Sequence, residues 1–273
     1  MAIKFPDIDP VALSLGPIEI RWYALAYLAG FLLGWQYALY LAGLDSERKD
    51  HVKRIVKTVI DDFLPWAILG VIIGGRLGYV LFYQPEMYWH DPLQVPQIWR
   101  GGMSFHGGAL GMIGAMIIYS YAKKLPLLRL TDVVCCAVPI GLFFGRLANF
   151  INGELFGRET YVSWGVIFPR GGDFPRHPSQ LYEAGLEGLL LFLILWLLAR
   201  RQGVRDKPGL LSGVFLIGYG VARSFAELYR EPDIQIGLIA GAVTMGQILC
   251  VPMILGGLVL AVYAMRRSKP AAS

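Results

Sequence analysis

Seven stretches of this chain, at about 22–42, 59–82, 105–122, 130–150, 178–199, 210–228 and 243–265, reach or approach the roughly 20 apolar residues that a helix needs to cross hydrocarbon. Nothing else in the sequence constrains the fold as much. In lipid every backbone N–H and C=O must be satisfied internally, which leaves only helices and closed barrels, and runs of this length read as helices. The third and sixth are short or polar at one end, so their boundaries are the least sharply drawn. Composition agrees: 55% of the 273 residues are apolar and only 16% are charged, against about 25% charged in soluble domains. Mean hydropathy is +0.51. The expectation is an all-α integral membrane protein with about seven transmembrane helices. No linker, low-complexity tract or internal repeat stands out, so residues 1–273 are expected to form a single membrane domain. One small extramembrane insert, at 151–177, falls between helices four and five.

The connections carry an orientation. Arg48, Lys49, Lys53, Arg54 and Lys57 lie between the first two segments, and Lys123, Lys124 and Arg129 between the third and fourth. Arg200, Arg201, Arg205 and Lys207 lie between the fifth and sixth, and Arg266, Arg267 and Lys269 follow the last. Those regions hold fifteen of the 25 basic residues, while the opposite set holds seven in longer stretches. By the positive-inside rule the N-terminus is outside, the C-terminus is cytoplasmic and the insert is on the outer side. The net charge of +5 is then a property of membrane loops, and no nucleic acid is called for. The first twenty residues carry acids and three prolines rather than a basic start and an apolar core, so no cleavable signal peptide is expected. Cys135 and Cys136 share one apolar run and Cys250 sits in another. A thiol in hydrocarbon resists ionising, so none reads as a nucleophile.

Three basic residues remain, Arg76, Arg146 and Arg223, each inside a span or at its edge and each toward the outer end. A lone arginine at a helix end commonly snorkels to the headgroups. Three from three helices on one side point to a shared task. In GYGVARSFAELYR, Tyr219, Arg223, Glu227 and Arg230 recur at helical spacing and stack on one face, a face that must turn away from lipid. In GRLANFINGELFG, Arg146, Asn149 and Gly153 share a face by the same arithmetic, and Asn152 and Glu154 begin the insert. GGMSFHGG sets His106 between glycine pairs that permit tight turns. A histidine there is expected to be buried near the outer interface and able to exchange a proton near neutral pH. The alternative is a structural histidine bonded to a carbonyl. PRHPSQLYEAGLE places His177, Gln180 and Glu183 in the first turns of the fifth segment, with His177-Pro178-Ser179 reading as a helix start. Capping and packing explain these residues as well as function does.

No HExxH, paired CxxC, GxSxG or P-loop is present, and His51 and His90 have no second ligand at useful spacing, so a metal is not expected. What is left is a rim of arginines, tyrosines, amides and one histidine. Guanidinium forks match phosphate geometry, which makes a phospholipid the natural ligand.

These residues resemble one family closely, the prolipoprotein diacylglyceryl transferases of bacterial inner membranes. The likeness runs through GPIEIRWYALAY, GGRLGYVLFY, GGMSFHGG, GRLANFINGELFG, PRHPSQLYEA, GYGVARSFAELYREPD and MGQILCVPM. Ala148 stands where the family signature GR-x-G-N-F has its second glycine, and the insert is short beside those of some relatives. The resemblance implies transfer of a diacylglyceryl group from phosphatidylglycerol to the lipobox cysteine of a prolipoprotein signal peptide, with glycerol phosphate released. It also implies a multi-pass protein among membrane lipids with a periplasmic-side site and no cofactor. On this reading His106 is the base toward the acceptor thiol, and Arg146 and Arg223 offset charge on the leaving phosphate. Tyr23, Asn149, Glu154, Tyr219 and Glu227 position headgroup or arginine. Glu154 and Glu227 each have an arginine at a spacing that would keep them ionised and weakly basic. The competing readings are a lipid transporter or flippase, whose site would sit near the midplane, and a lipid-binding scaffold, which needs no His106.

Overall fold

The computed structural model describes residues 2–6, 8–16, 18–46, 55–231 and 243–267. Arg48, Lys49, Lys53, Arg54 and Lys269 of the loop charges, and His51, lie outside the described residues. The described residues are 70% helical, and the chain divides into two compact units, Leu39–Thr131 and the remainder, Met1–Ala38 with Asp132–Ser273. Among the described residues five helices are long and apolar enough to cross a membrane: Trp22–Leu44, Lys57–Phe82, Leu127–Ile151, Ser179–Ala199 and Met245–Arg267. The other two expected spans are the short ones. Phe105–Ala122 has 18 residues diluted by glycine, His106, Ser120 and tyrosines, and Leu210–Ala226 has 17. At about 1.5 Å per residue, neither reaches a full ~30 Å unaided.

The unit Leu39–Thr131 is built on one close helix pair, α2 (Lys57–Phe82) and α4 (Phe105–Ala122). Gly70, Gly74 and Gly78 recur every four residues and meet Gly111 and Gly107 in reverse order, so the pair is antiparallel. A Cβ on Gly74 would lie 2.7 Å from the Gly111 Cα. The small residues let the backbones touch, which is how helices associate where no hydrophobic force separates protein from lipid. The Ser104 hydroxyl caps α4 by accepting from the Gly107 N–H at 3.2 Å, and the Ser104 N–H donates to the Gly75 carbonyl at 2.9 Å. Between α2 and α4 lies a short helix, α3 (Pro85–His90).

In the other unit, β1 (Ile3–Lys4) pairs in parallel with β4 (Val166–Ile167) of the insert, and β2 (Val11–Leu15) pairs with β3 (Ile18–Arg21) as a hairpin ahead of α1 (Trp22–Ser46). The insert packs its own small core, in which Phe168 is fully buried against Phe5, Phe150 and Phe156. The helices here are α5 (Leu127–Ile151), α6 (Ser179–Glu183), α7 (Leu191–Ala199), α8 (Gln202–Arg205), α9 (Leu210–Ala226) and α10 (Met245–Arg267). The π-helical residues Ala184–Leu190 join α6 to α7. Buried Asp132 in α5 caps α9 from outside, accepting from the Gly209 N–H at 2.8 Å and from the Ser212 N–H and hydroxyl at 2.7 and 2.6 Å. A carboxylate at a helix N-terminus satisfies orphan donors and the dipole together. Helices α9 and α10 pack through Gly213 and Gly257, where a Cβ on either would lie 2.8 Å from the other's carbonyl oxygen.

Candidate functional site

Helices α5, α6 and α9 each bring charge to one place. Near the end of α5, Arg146 points its Nη2 at the Glu183 Oε2, 2.8 Å away, and lies 3.6 Å from Glu187. In α9, Arg223 is 2.8 Å from the same Glu183 oxygen, 3.6 Å from Glu187, and donates to Glu227 one turn on. Arg230, just past α9, reaches Glu183 at 3.4 Å and Glu227 at 3.9 Å. Three guanidiniums and three carboxylates thus form one network. Glu183 and Glu187 are fully buried, whereas the side chains of Arg146, Arg223 and Arg230 stay 14–17% exposed.

Local structure explains the convergence. The first helical turns after Pro178 set Glu183 and Glu187 four residues apart on one face. The π-helical stretch carrying Glu187 is a rare form, frequent at functional sites. Gly188 lets α5 approach: a Cβ there would come 2.7 Å from that of Phe143. Buried carboxylates are costly inside apolar helices unless paired, and here every one has an arginine. Arg146 lies five residues before the end of α5, Arg223 three before the end of α9 with Glu227 and Arg230 just past it, and Glu183 and Glu187 four and eight residues after the start of α6.

A second polar group lies beside the end of α5. The Asn149 side-chain amide donates to Glu154 at 2.9 Å and lies beside Tyr23, whose hydroxyl lies 3.0 Å from that of Tyr27. The helix ends at Ile151, Gly153 turns at φ +62°, and the Glu154 N–H returns to the Asn149 carbonyl at 3.0 Å. Gly153 is therefore part of the turn and does not share the Arg146 face. Gln180 donates to the Glu154 carbonyl at 2.7 Å, and the Ser179 hydroxyl to that of Leu155 at 3.1 Å. Ala148 is fully buried, its methyl accommodated. At the edge of the insert His177 lies 3.1 Å from the Tyr182 hydroxyl, and desolvation holds its pKa below the ordinary histidine range.

Of the residues singled out from sequence, Arg146, Arg223 and Glu227 meet in the ion network. Tyr219 sits on the same helix, in electrostatic reach of Arg146, Arg223 and Glu187. Tyr23, Asn149 and Glu154 meet at the turn. Glu154 is held by an amide and not by the arginine its spacing suggested, because Arg158 donates to the Arg230 carbonyl instead, at 2.9 Å. His106 belongs to the other unit and is exposed, not buried: Gly107 and Gly108 take the packed face of α4, which turns His106 outward. Arg76 is also different from expectation. It is buried, and it donates to the carbonyls of Gln94, Val95, Gly101 and Gly102 at 2.6–3.1 Å. Four of its five donors are taken by backbone, and its task is to hold the 94–102 segment. Sequence reasoning left Glu183 undecided and passed over Glu187. The available signal was two carboxylates at helical spacing inside an apolar segment.

Among the described residues, five helices long and apolar enough to cross a membrane and a buried arginine–glutamate network near helix ends are the pattern of a multi-pass membrane protein. The sequence profile of the prolipoprotein diacylglyceryl transferases matches residues 10–263. The chain is 55% identical over 272 residues to the phosphatidylglycerol–prolipoprotein diacylglyceryl transferase of Paramagnetospirillum magneticum, covering 99% of both chains. It is 54% identical to the protein of that name from Rhodospirillum rubrum, over 99% of this chain and 97% of that one. The chain belongs to the prolipoprotein diacylglyceryl transferase family.

Proposed function

We propose that the protein transfers the diacylglyceryl group of phosphatidylglycerol to the lipobox cysteine of a prolipoprotein in the bacterial inner membrane. The observation that carries this reading is the convergence of Arg146, Arg223 and Arg230, each still partly exposed, near one end of apolar helices. A cluster near helix ends favours a lipid headgroup over a midplane transport site. In the reaction the acceptor thiol loses its proton and sulfur bonds to the glycerol carbon. The carbon–oxygen bond to phosphate breaks, and its electron pair leaves with glycerol phosphate. The leaving group gains negative charge, which Arg146 and Arg223 are placed to offset. Tyr23, Asn149, Glu154, Tyr219 and Glu227 hold the headgroup or the arginines in register.

His106 is the proposed base. Its exposure leaves it open to a substrate, and a free thiol has a pKa near ~8.5, so a base is useful at neutral pH. The proposal extends to seven spans in a single membrane domain, a periplasmic N-terminus and insert, and a cytoplasmic C-terminus. A periplasm-only reporter is expected to be active within 158–176 and silent after Ser273; the reverse pattern overturns the orientation. Function is tested by incubating purified protein with labelled phosphatidylglycerol and a lipobox peptide. The peptide should gain one diacylglyceryl unit, and His106→Gln should lose transfer less severely as pH rises past the thiol pKa. No mass gain refutes the activity; a defect that is constant with pH refutes the base role.

A further inference from the structure

The arginine cluster is not a bare cation site. Arg146, Arg223 and Arg230 face Glu183, Glu187 and Glu227, so with all six ionised the charges cancel. A phosphodiester entering this network adds one negative charge among apolar helices, where an unbalanced charge is heavily penalised. Either the headgroup is repelled or a carboxylate gives up its charge.

The three carboxylates are not equivalent. Glu183 touches two guanidiniums at 2.8 Å, and Glu227 accepts directly from Arg223. Glu187 is fully buried, and neither of its oxygens has a hydrogen-bond partner. It keeps only ion pairs of 3.6 Å, and these are to Arg146 and Arg223, the same two guanidiniums that a phosphate would engage. Other titratable groups around it leave no alternative source of balance. Glu183 lies on its own helix, Arg146 comes from α5, and Tyr219, Arg223 and Arg230 come from α9 and the turn after it. Cys250 comes from α10, and Tyr37 of α1 packs on Phe192 a turn further along. The tyrosines and the cysteine are neutral and cannot absorb a negative charge, and Glu183 is fixed by the arginines it bridges.

We infer that Glu187 takes up one proton from solvent when an anionic phospholipid headgroup engages Arg146 and Arg223, so that the lipid binds together with a proton and the site stays neutral. Solvent loses the proton, the carboxylate becomes a carboxylic acid, and no other bond changes; the proton returns when the anion leaves. Glu187 is thus a positioning residue that acts through the two arginines. The inference rests on the reading of this site as a phosphatidylglycerol site.

The test is calorimetric titration of the purified protein with short-chain phosphatidylglycerol, in buffers of different ionisation enthalpy across about pH 6 to 9. Uptake of about one proton per lipid is expected, with affinity falling about tenfold per pH unit where uptake occurs. Glu187→Gln, neutral at every pH, is expected to bind without uptake and with a flat profile. Infrared difference spectra of wild-type protein carrying carbon-13-labelled glutamate read the same event without a substitution, as a carboxylic-acid band that appears with lipid. Lipid binding with no proton uptake, uptake that persists in Glu187→Gln, or no such band overturns the inference while leaving the substrate reading intact. No saturable binding of phosphatidylglycerol at any pH ends both.

Discussion

Arg76 and Arg223 are both arginines within apolar helices, yet their surroundings are built on opposite plans. Arg76 is 5% exposed and gives four donor contacts to neutral carbonyls, with its guanidinium over the Tyr88 ring at 5.0 Å. No carboxylate is within ion-pair range of it among the described residues. Arg223 shares carboxylates with Arg146 and Arg230 and keeps a 15% exposed side chain. Carbonyl partners are fixed by the backbone, so Arg76 is a strut. Carboxylate partners can change protonation and arginines that share them can change partner, so the Arg223 network can rearrange. A buried arginine alone does not mark a site; the nature of its acceptors does.

The largest effect is expected from Glu183→Ala, which strips two close contacts at 2.8 Å and removes the carboxylate that three guanidiniums share. Breaking a buried pair by removing one partner costs about 3–5 kcal/mol, so thermal unfolding in detergent should begin far lower than in the wild type. An unchanged midpoint would mean the network is solvated. Next comes Gly74→Ala, whose Cβ would meet backbone, the Gly111 Cα at 2.7 Å, not a flexible side chain. Overpacking of about 1–3 kcal/mol is expected, lowering stability and loosening the Arg76 segment through the Ser104–Gly75 hydrogen bond. Tolerance without loss would show that α2 and α4 are not packed as described.

Gly246→Ala is milder. Its Cβ would come 2.8 Å from the Glu227 carboxylate, the mobile end of a side chain. A shift there should disturb Arg223 and slow transfer about two- to fivefold, less than ~1 kcal/mol, with no change in unfolding. A fall in stability without a change in rate would separate Glu227 from the site. The smallest effect is at His177, whose desolvation favours the neutral ring. Its folded pKa lies below the unfolded value, so its contribution is full above about pH 6.5 and fades as pH falls through the folded value. His177→Phe should flatten that part of the acid limb of a stability–pH curve, and an unaltered limb would assign the pH dependence elsewhere.

Much of this architecture was legible in the sequence because lipid makes the rule simple. Apolar runs of about twenty residues announced the long helices, and α9 and α4 fell short where Arg223, His106 and the glycines interrupt apolarity. The stripe from Tyr219 to Arg230 was readable because helical spacing alone puts its members together. The counter-ions were not. A search for cations suited to phosphate finds Arg146 and Arg223 and passes over Glu187, since nothing local in EAGLE says that its carboxylate turns inward onto two other helices. Arg76 was misread for the same reason: its partners are backbone atoms 18 to 26 residues away, and carbonyls leave no mark in side-chain patterns. His106 was placed inward although Gly107 and Gly108, the residues that can be buried against α2, occupy that face.

The most direct test of the two plans compares Arg223→Lys with Arg76→Lys, measuring thermal midpoint and transfer per folded molecule for both. A lysine keeps the charge and loses the fork, and one lost charge-assisted hydrogen bond is worth about 1.5–3 kcal/mol. In Arg223→Lys that loss is expected in the rate, about ten- to a hundredfold, with the midpoint nearly held. In Arg76→Lys it is expected in the midpoint, with transfer per folded molecule close to wild type. Wild-type transfer by Arg223→Lys, or a stable Arg76→Lys that has lost transfer, would contradict the account.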